Sequence, residues 1–193
     1  MKVSPKKEEF LQESLKLIHE KGFKATTMRD IAERLNFDVS NSYNYIKSKQ
    51  EILESFLFRT SNEFHKTIDN VLDSNYSAED KLKSLISSHI RIASEKPYEV
   101  ALLVNEWRNL KEPKLNEFVT LRDTYEKKVS KLLEDGINNK IFKQMDIRIA
   151  TSVVLASLRW FYDEYTVKKN EKNLNPIEFE RQIVGFILSG ILL

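Results

Sequence analysis

The chain has 193 residues, 41% hydrophobic and 31% charged, the profile of a globular protein rather than a disordered one. Lys and Arg number 31 and Asp and Glu 29, so the formal charge is only +2, which excludes bulk positive charge as the source of any nucleic-acid affinity. The absence of cysteine excludes disulfides, thiolate metal sites and thiol nucleophiles, and 4 Gly with 4 Pro excludes turn-rich β folds and glycine-rich phosphate loops.

In chain order, Ser4 is placed to cap a first helix, with Pro5 in its first turn and Glu8 and Glu9 at its positive end. Phe10, Leu11, Ser14, Leu15 and Ile18 share one stripe, and Gly22 ends the helix, where a left-handed residue is often needed. Thr26 or Thr27 opens a short second helix whose inner face is Met28, Ile31, Ala32 and Leu35. After a turn at Asn36-Phe37, Asp38 caps a third helix reaching about Tyr45. Ser48, with Glu51 three residues on, caps a long fourth helix. Its apolar period runs through Ile52, Leu53, Phe56, Leu57, Phe64, Ile68, Val71 and Leu72 to about residue 73.

Further helices are expected over 78–94, 98–110, 114–139, 146–168 and 176–191. The breaks are Pro97, Glu112-Pro113, Gly136 with Asn138-Asn139, and Asn173-Leu174-Asn175-Pro176. No strand, internal repeat or low-complexity tract is expected. No uncharged apolar run is as long as the roughly 18 residues of a membrane span, and MKVSPKKEEF lacks the apolar stretch of a secretory signal. A cytoplasmic protein with no membrane partner is expected.

Residues 28–47 carry the marks of a helix-turn-helix. Ala32 is small where two helices would cross, and Asn36 tolerates positive φ in the turn. Ile31, Leu35, Phe37 and Tyr45 fall at offsets that hold the helices together, and Asp38 caps the second helix, whose first residues would enter a major groove. The stretch GFKATTMRDIAERLNFDVSNSYNYIKSKQEIL resembles the DNA-binding head of the TetR family of bacterial repressors. The matching elements are Gly22-Phe23, Thr26-Thr27, Ile31-Ala32, Tyr43, Ile46 in the usual Phe place, Ser48-Lys49 and Ile52-Leu53.

The resemblance implies an all-α fold: an N-terminal three-helix helix-turn-helix DNA-binding domain (residues 1–50), joined by a long helix to an α-helical effector-binding and dimerisation domain (51–193). It implies that Thr27 and Tyr43 offer hydroxyls to phosphates, and that Lys49 binds another phosphate with the first amides of the fourth helix. Val39, Ser40, Asn41 and Asn44 would face base edges or nearby backbone, and Met28, Tyr45 and Lys47 complete the expected DNA-contacting set. Asn36 and Asp38 replace the family's common Gly and Ser, and Ser42 stands where the family has a large apolar residue. Between Asp38 and Ile46 there is no Arg or Lys, which disfavours guanine-rich half-sites. Residues 1–50 hold ten Lys/Arg against seven Asp/Glu, +3, and the remainder 21 against 22, −1, so the head is the basic part.

A lone head reads one half-site, and a palindromic operator needs a two-fold dimer. The last two helices are apolar beyond one buried stripe, with Ile147, Ala150, Val153, Val154, Leu158 and Phe161 on one and Ile183, Val184, Phe186, Ile187, Leu188, Ile191 and Leu192 on the other. Small residues Ala156, Ser157, Gly185, Ser189 and Gly190 would allow close approach, so a homodimer through a four-helix interface is expected.

Residues 105–142 and the LASLRWFYDEY stretch resemble effector domains of a TetR subgroup linked to lipid, steroid and aromatic-acid catabolism, several of which respond to acyl-CoA thioesters. An acyl-CoA effector would need an apolar tunnel, for which Trp107, Tyr125, Trp160, Phe161 and Tyr165 are the candidates. It would need cations for its phosphates, for which Arg108, Arg122 and Arg159 are the candidates. The same aromatics also suit plain packing, and the arginines suit pairing with Asp123, Glu126 or Asp163.

The expected function is a ligand-responsive transcriptional repressor that binds a palindromic DNA operator as a dimer and is released by a small apolar effector such as an acyl-CoA. The alternative is a helical interaction or lipid-carrier protein that does not bind DNA. No cofactor, metal site or catalytic residue is expected. The residues three before His19, His65 and His89 are Lys16, Asn62 and Ile86, so the Glu-x-x-His pairs of a di-iron bundle are absent.

Overall fold

The computed structural model describes residues 5–36, 38–167 and 175–193, with the side chains of Pro5, Asn41, Ser42 and 163–167 left aside. The expected Ser4 cap, Phe37 and the Asn173-Leu174 break lie outside the described residues. The helices are α1 (Pro5–Lys21), α2 (Met28–Arg34), α3 (Val39–Ser42), α4 (Lys49–Asp73), α5 (Ala78–Glu95), α6 (Pro97–Asn105), α7 (Lys114–Asn138), α8 (Ile147–Val167) and α9 (Pro176–Ile191). Among the described residues there is no strand; Phe142 and Leu192 form one isolated antiparallel bridge.

Two elements are shorter than the sequence predicts. The third helix stops at Ser42, and Tyr43, Asn44 and Tyr45 form a turn. Tyrosine and asparagine are modest helix formers, and four residues are too few for the ladder to propagate over them. The helix expected over 98–110 ends at Asn105, followed by a 3-10 turn at Trp107–Asn109. Glu106 makes that break, its carboxylate accepting from the Asn109 side-chain amide (2.6 Å) and from the Phe23 backbone N–H (3.2 Å).

The described residues group into two compact units. The first is Met1–Thr60 with Tyr98–Val119, the second Ser61–Pro97 with Thr120–Leu193. Residues 98–119, placed by sequence with the C-terminal domain, therefore cluster with the head. α4 and α7 each contribute to both units.

In the first unit α1 turns its stripe inward, and Phe10, Leu15, Leu17 and Ile18 meet Phe23, Ile31, Ile46, Ile52, Leu53, Phe56 and Leu57, with Leu102, Leu110 and Phe118 completing the core. Gly22 ends α1 at φ 82°, a conformation glycine takes without strain. Asn36 supplies the turn between α2 and α3 at φ 54°, as its tolerance of the left-handed region predicts. Glu99 is a buried carboxylate, satisfied by Arg59 at 2.7 Å and the Thr60 hydroxyl at 3.2 Å.

In the second unit α5 packs on α8 and α9. Ser77 caps α5 by accepting from the Asp80 N–H at 3.1 Å, and Asn175 caps α9, whose first residue is Pro176. Gly136 is not a helix terminator as predicted. It lies inside the last turn of α7, and Lys140 takes the left-handed conformation beyond it at φ 57°. Gly136 is there for space: a Cβ on it would sit 2.1 Å from the Phe142 ring, which is fully buried against it.

Candidate functional site

The helix-turn-helix of the first unit begins at a capping box. The Thr27 hydroxyl accepts from the Asp30 N–H at 3.1 Å, and the Asp30 carboxylate accepts from the Thr27 N–H at 2.7 Å. The Thr27 hydroxyl also donates to Asp30, and that bond, with Lys21 and the Thr27 amide, holds the Asp30 carboxyl well below the usual carboxylate range. The cap thus employs the hydroxyl assigned by resemblance to a phosphate.

The expected DNA-contacting residues fall into two groups. Thr27, Ser40, Tyr43, Asn44 and Lys47 are exposed, Tyr43 to 52%. Met28, Val39 and Tyr45 are half-buried; Met28 packs on the core, and Tyr45 stacks on Phe10 with ring centres 5.6 Å apart. Tyr45 therefore holds the turn down. Asn41 is in α3, with its side chain among those left aside.

Lys49 points inward. Its ammonium donates to the carbonyls of Phe23 and Thr26, approaches that of Lys24 at 3.4 Å, and lies 4.4 Å from the centre of the Phe23 ring. Burial lowers its pKa, opposed by the charges of Asp30 and Glu106. All three ammonium protons face backbone oxygens of the loop between α1 and α2, so in this structure Lys49 staples that loop to the start of α4. Ser48 caps α4 as predicted, accepting from the Glu51 N–H at 3.1 Å, while the Glu51 carboxylate accepts from the Lys47 N–H at 2.9 Å. Arg29 was not among the expected contacts. It is exposed on the first turn of α2 and makes no ion pair among the described residues. Its place in the first turn of a helix opening at Thr27 was the available signal.

The expected effector residues belong to different surroundings. Trp107 and Arg108 are in the first unit, where the Trp107 ring lies 6.3 Å from Phe118 and the Arg108 guanidinium 4.5 Å from the Trp107 ring. In the second unit Arg122, Arg159 and Trp160 are exposed, Trp160 stacking on Phe179 at 5.6 Å. Phe161 is buried and lies 4.8 Å from the same Phe179. Tyr165 is among the side chains left aside.

Tyr125 joins a polar cluster in the second unit. His89 of α5 is hydrogen-bonded through Nε2 to the Tyr125 hydroxyl of α7 (2.5 Å) and through Nδ1 to the Tyr162 hydroxyl of α8. Phe64 of α4 lies 4.7 Å from the imidazole. His65 lies 5.4 Å from the Tyr125 ring, its Nε2 3.0 Å from the Leu121 carbonyl. Burial pulls the His89 pKa down to about 3 and pushes both tyrosines up, so all three groups are neutral near pH 7. Sequence reasoning weighed His89 only as a metal ligand. The signal it passed over is a titratable residue on the apolar stripe of α5, with Leu82, Leu85, Ile86 and Ala93.

α8 and α9 expose an apolar face. Ile149, Val153 and Trp160 of α8 are 64%, 51% and 51% exposed, and Phe186 of α9 is 74% exposed. A groove of about 410 Å³ on α8 is lined by Arg148, Ile149, Ser152, Val153 and Ala156. Gly185 and Gly190 have open space where a side chain would stand.

Comparison with known proteins gives matches over the whole chain. Residues 10–56 match the family described as bacterial regulatory proteins, tetR family, and residues 75–191 match the tetracyclin repressor-like C-terminal domain. The HTH-type transcriptional repressor KstR2 of Mycolicibacterium smegmatis is 23% identical over 192 residues, 96% of this chain and 90% of the relative. The structure of the ketosteroid transcriptional regulator KstR2 of Mycobacterium tuberculosis superposes with a TM-score of 0.89 at 18% identity, covering 100% of this chain and 97% of that one. The crystal structure of AibR in complex with isovaleryl coenzyme A and operator DNA gives a TM-score of 0.80 at 16% identity, covering 93% of this chain and 96% of that one.

Proposed function

The chain belongs to the TetR family of bacterial regulatory proteins, and from that premise we propose that it is a repressor that grips a palindromic operator as a homodimer and is released by an acyl-CoA thioester. It is a ligand-responsive transcriptional regulator and not an enzyme. The functional division is residues 1–50 as reader and 51–193 as sensor and dimer face.

The observation that carries the DNA-reading part is the helix-turn-helix geometry. Asn36 makes the left-handed turn, and Ser40, Tyr43, Asn44 and Lys47 stand exposed on α3 and the turn after it. Tyr43 and Lys47 serve phosphates, with Arg29 as a further cation, while Ser40, Asn41 and Asn44 read base edges. Lys49 acts through the loop it holds.

The exposed apolar face of α8 and α9 supports the dimer, since an unpaired surface of this kind marks an interaction site. Its glycines permit the close helix approach that a four-helix interface requires. Two acceptable half-sites one helical turn apart follow from the two-fold axis.

The acyl-CoA effector is supported by the fold-level likeness to AibR and by the aromatic cluster around Tyr125. α4 carries Lys49 and Gln50 in the first unit and Phe64 and His65 in the second. A ligand that binds one conformer more tightly shifts the separation of the two heads through this helix. The test is direct. An operator is selected from a random duplex pool, and acyl-CoAs are titrated into the complex. Release at micromolar acyl-CoA is expected; an operator grip indifferent to every acyl-CoA tried removes the effector, and failure to select any DNA removes the reader.

A further inference from the structure

The His89 cluster is a buried polar group that neither DNA reading nor dimerisation uses. Its three members come from three helices: His89 from α5, Tyr125 from α7 and Tyr162 from α8. A neutral imidazole has one N–H and one lone pair, while each phenol has one proton to donate. Both ring nitrogens are hydrogen-bonded to phenols. One phenol therefore donates to the ring and the other accepts from it. Two links use the ring proton and one phenol proton, so the other phenol proton points away from the imidazole.

Which phenol keeps its proton depends on the ring tautomer. With the ring proton on Nδ1, Tyr125 donates to Nε2. With it on Nε2, Tyr162 donates to Nδ1, the ring donates to the Tyr125 oxygen, and the Tyr125 proton is available outward. Tyr162 is 6% exposed, whereas Tyr125 is half-buried. Tyr125 is the less buried end of the cluster.

The matched partner is an uncharged acceptor with no proton of its own. A carboxylate would bring a charge beside a buried neutral imidazole. Lys128, three residues beyond Tyr125 on α7, already pairs with Asp69 at 2.6 Å and lies 3.4 Å from His65 Nδ1. A carbonyl oxygen fits, and in an apolar setting a single such bond discriminates well.

We propose that Tyr162, His89 and Tyr125 form a hydrogen-bond relay whose outer hydroxyl, on Tyr125, donates to the thioester carbonyl of the bound acyl-CoA. The proposal rests on the acyl-CoA reading above. Tyr125 is the contact residue; His89 and Tyr162 are positioning residues that fix which way its proton points.

The test is calorimetric titration of the full chain with isovaleryl-CoA and dodecanoyl-CoA and with their thioether counterparts, which lack the carbonyl. Wild type is expected to prefer a thioester over its thioether by about tenfold, the worth of one buried hydrogen bond. Tyr125→Phe should erase that preference while binding the thioether as wild type does, and Tyr162→Phe should reduce it. In the wild-type complex, 15N spectra should find the His89 proton on Nε2. Wild type binding none of the four compounds sinks the acyl-CoA reading and the relay with it. Equal wild-type affinity for thioester and thioether, a preference surviving in Tyr125→Phe, or a ring proton on Nδ1 in the complex overturns the relay and leaves the acyl-CoA reading standing.

Discussion

The two units use polar side chains in opposite ways. In the first, the helix caps around the helix-turn-helix solve local problems within a few residues of themselves, while Lys49 and Glu106 tie the loop after α1 to distant segments. Thr27 and Asp30 cap α2, Ser48 caps α4, and Glu51 returns to Lys47. In the second, His89 connects to residues 36 and 73 positions away and is buried with them. A surface that meets a charged polymer needs exposed donors on a stiffly held backbone. A site for a largely apolar molecule needs a few polar atoms inside a core, each satisfied. The lesson is where tolerance lies: the reader can change its exposed residues and stay folded, while removing a polar atom of the buried cluster leaves a neighbour's hydrogen bond unmade.

The largest effect that would break this contrast concerns the face of α8 and α9. Val153→Glu with Phe186→Glu should yield monomers by light scattering and reduce operator affinity by more than about 100-fold, because each head alone reads one half-site. Unchanged mass and affinity would detach that face from dimerisation. Next is Gly136→Val, which forces a branched side chain into the Phe142 ring and should destabilise the chain by about 3 kcal/mol in chemical denaturation. A wild-type midpoint would mean that the α7 end yields freely.

Lys47 and Lys49 sharpen the comparison within the first unit. Lys49→Ala should lower stability by about 1–2 kcal/mol through loss of a charge-assisted staple, and weaken operator binding as a consequence. Lys47→Ala and Tyr43→Phe should leave the melting temperature alone and weaken binding severalfold across sequences, Lys47→Ala also flattening the salt dependence. Equal melting temperatures for the Lys49 and Lys47 variants would return Lys49 to the role of a plain phosphate ligand.

The smallest expected effect is a pH dependence. His89 is neutral in the fold down to about pH 3, whereas an unfolded histidine takes up a proton near pH 6.5. Between these values the unfolded chain binds more protons, so stability is full above about pH 6.5 and declines as pH falls, by at most about 1.4 kcal/mol per unit. His65, also depressed by burial, adds in the same direction. The carboxylates held low, such as Glu178 at about 2, act only below the ordinary carboxylate range. Melting temperatures from pH 6.5 to 5 should therefore fall for wild type and fall less for His89→Gln.

Much of the fold was legible because its signals are local. Caps at Thr27 and Ser48, the left-handed turn at Asn36 and the stripe of α1 each depend on neighbours within four residues, which spacing reports directly. The head could be recognised for the same reason, since its motif is one short stretch. Individual side chains were less legible. Tyr43 and Tyr45 are two residues apart and chemically alike, yet one is exposed and the other stacks on Phe10. Lys49 carries the charge expected of a phosphate ligand, but its direction depends on the carbonyls of a loop more than 20 residues earlier.

By itself, then, the sequence determined the helices, their order, the helix-turn-helix and the family, because helix periodicity, capping and a contiguous motif are short-range properties of the chain. Only the tertiary structure decided that residues 98–119 cluster with the head, that Gly136 is a gap for Phe142, and that His89 joins Tyr125 to Tyr162. Those are contacts between segments distant in sequence, chosen by shape and by the need to satisfy every buried polar atom, and no local pattern encodes which partner a side chain will meet.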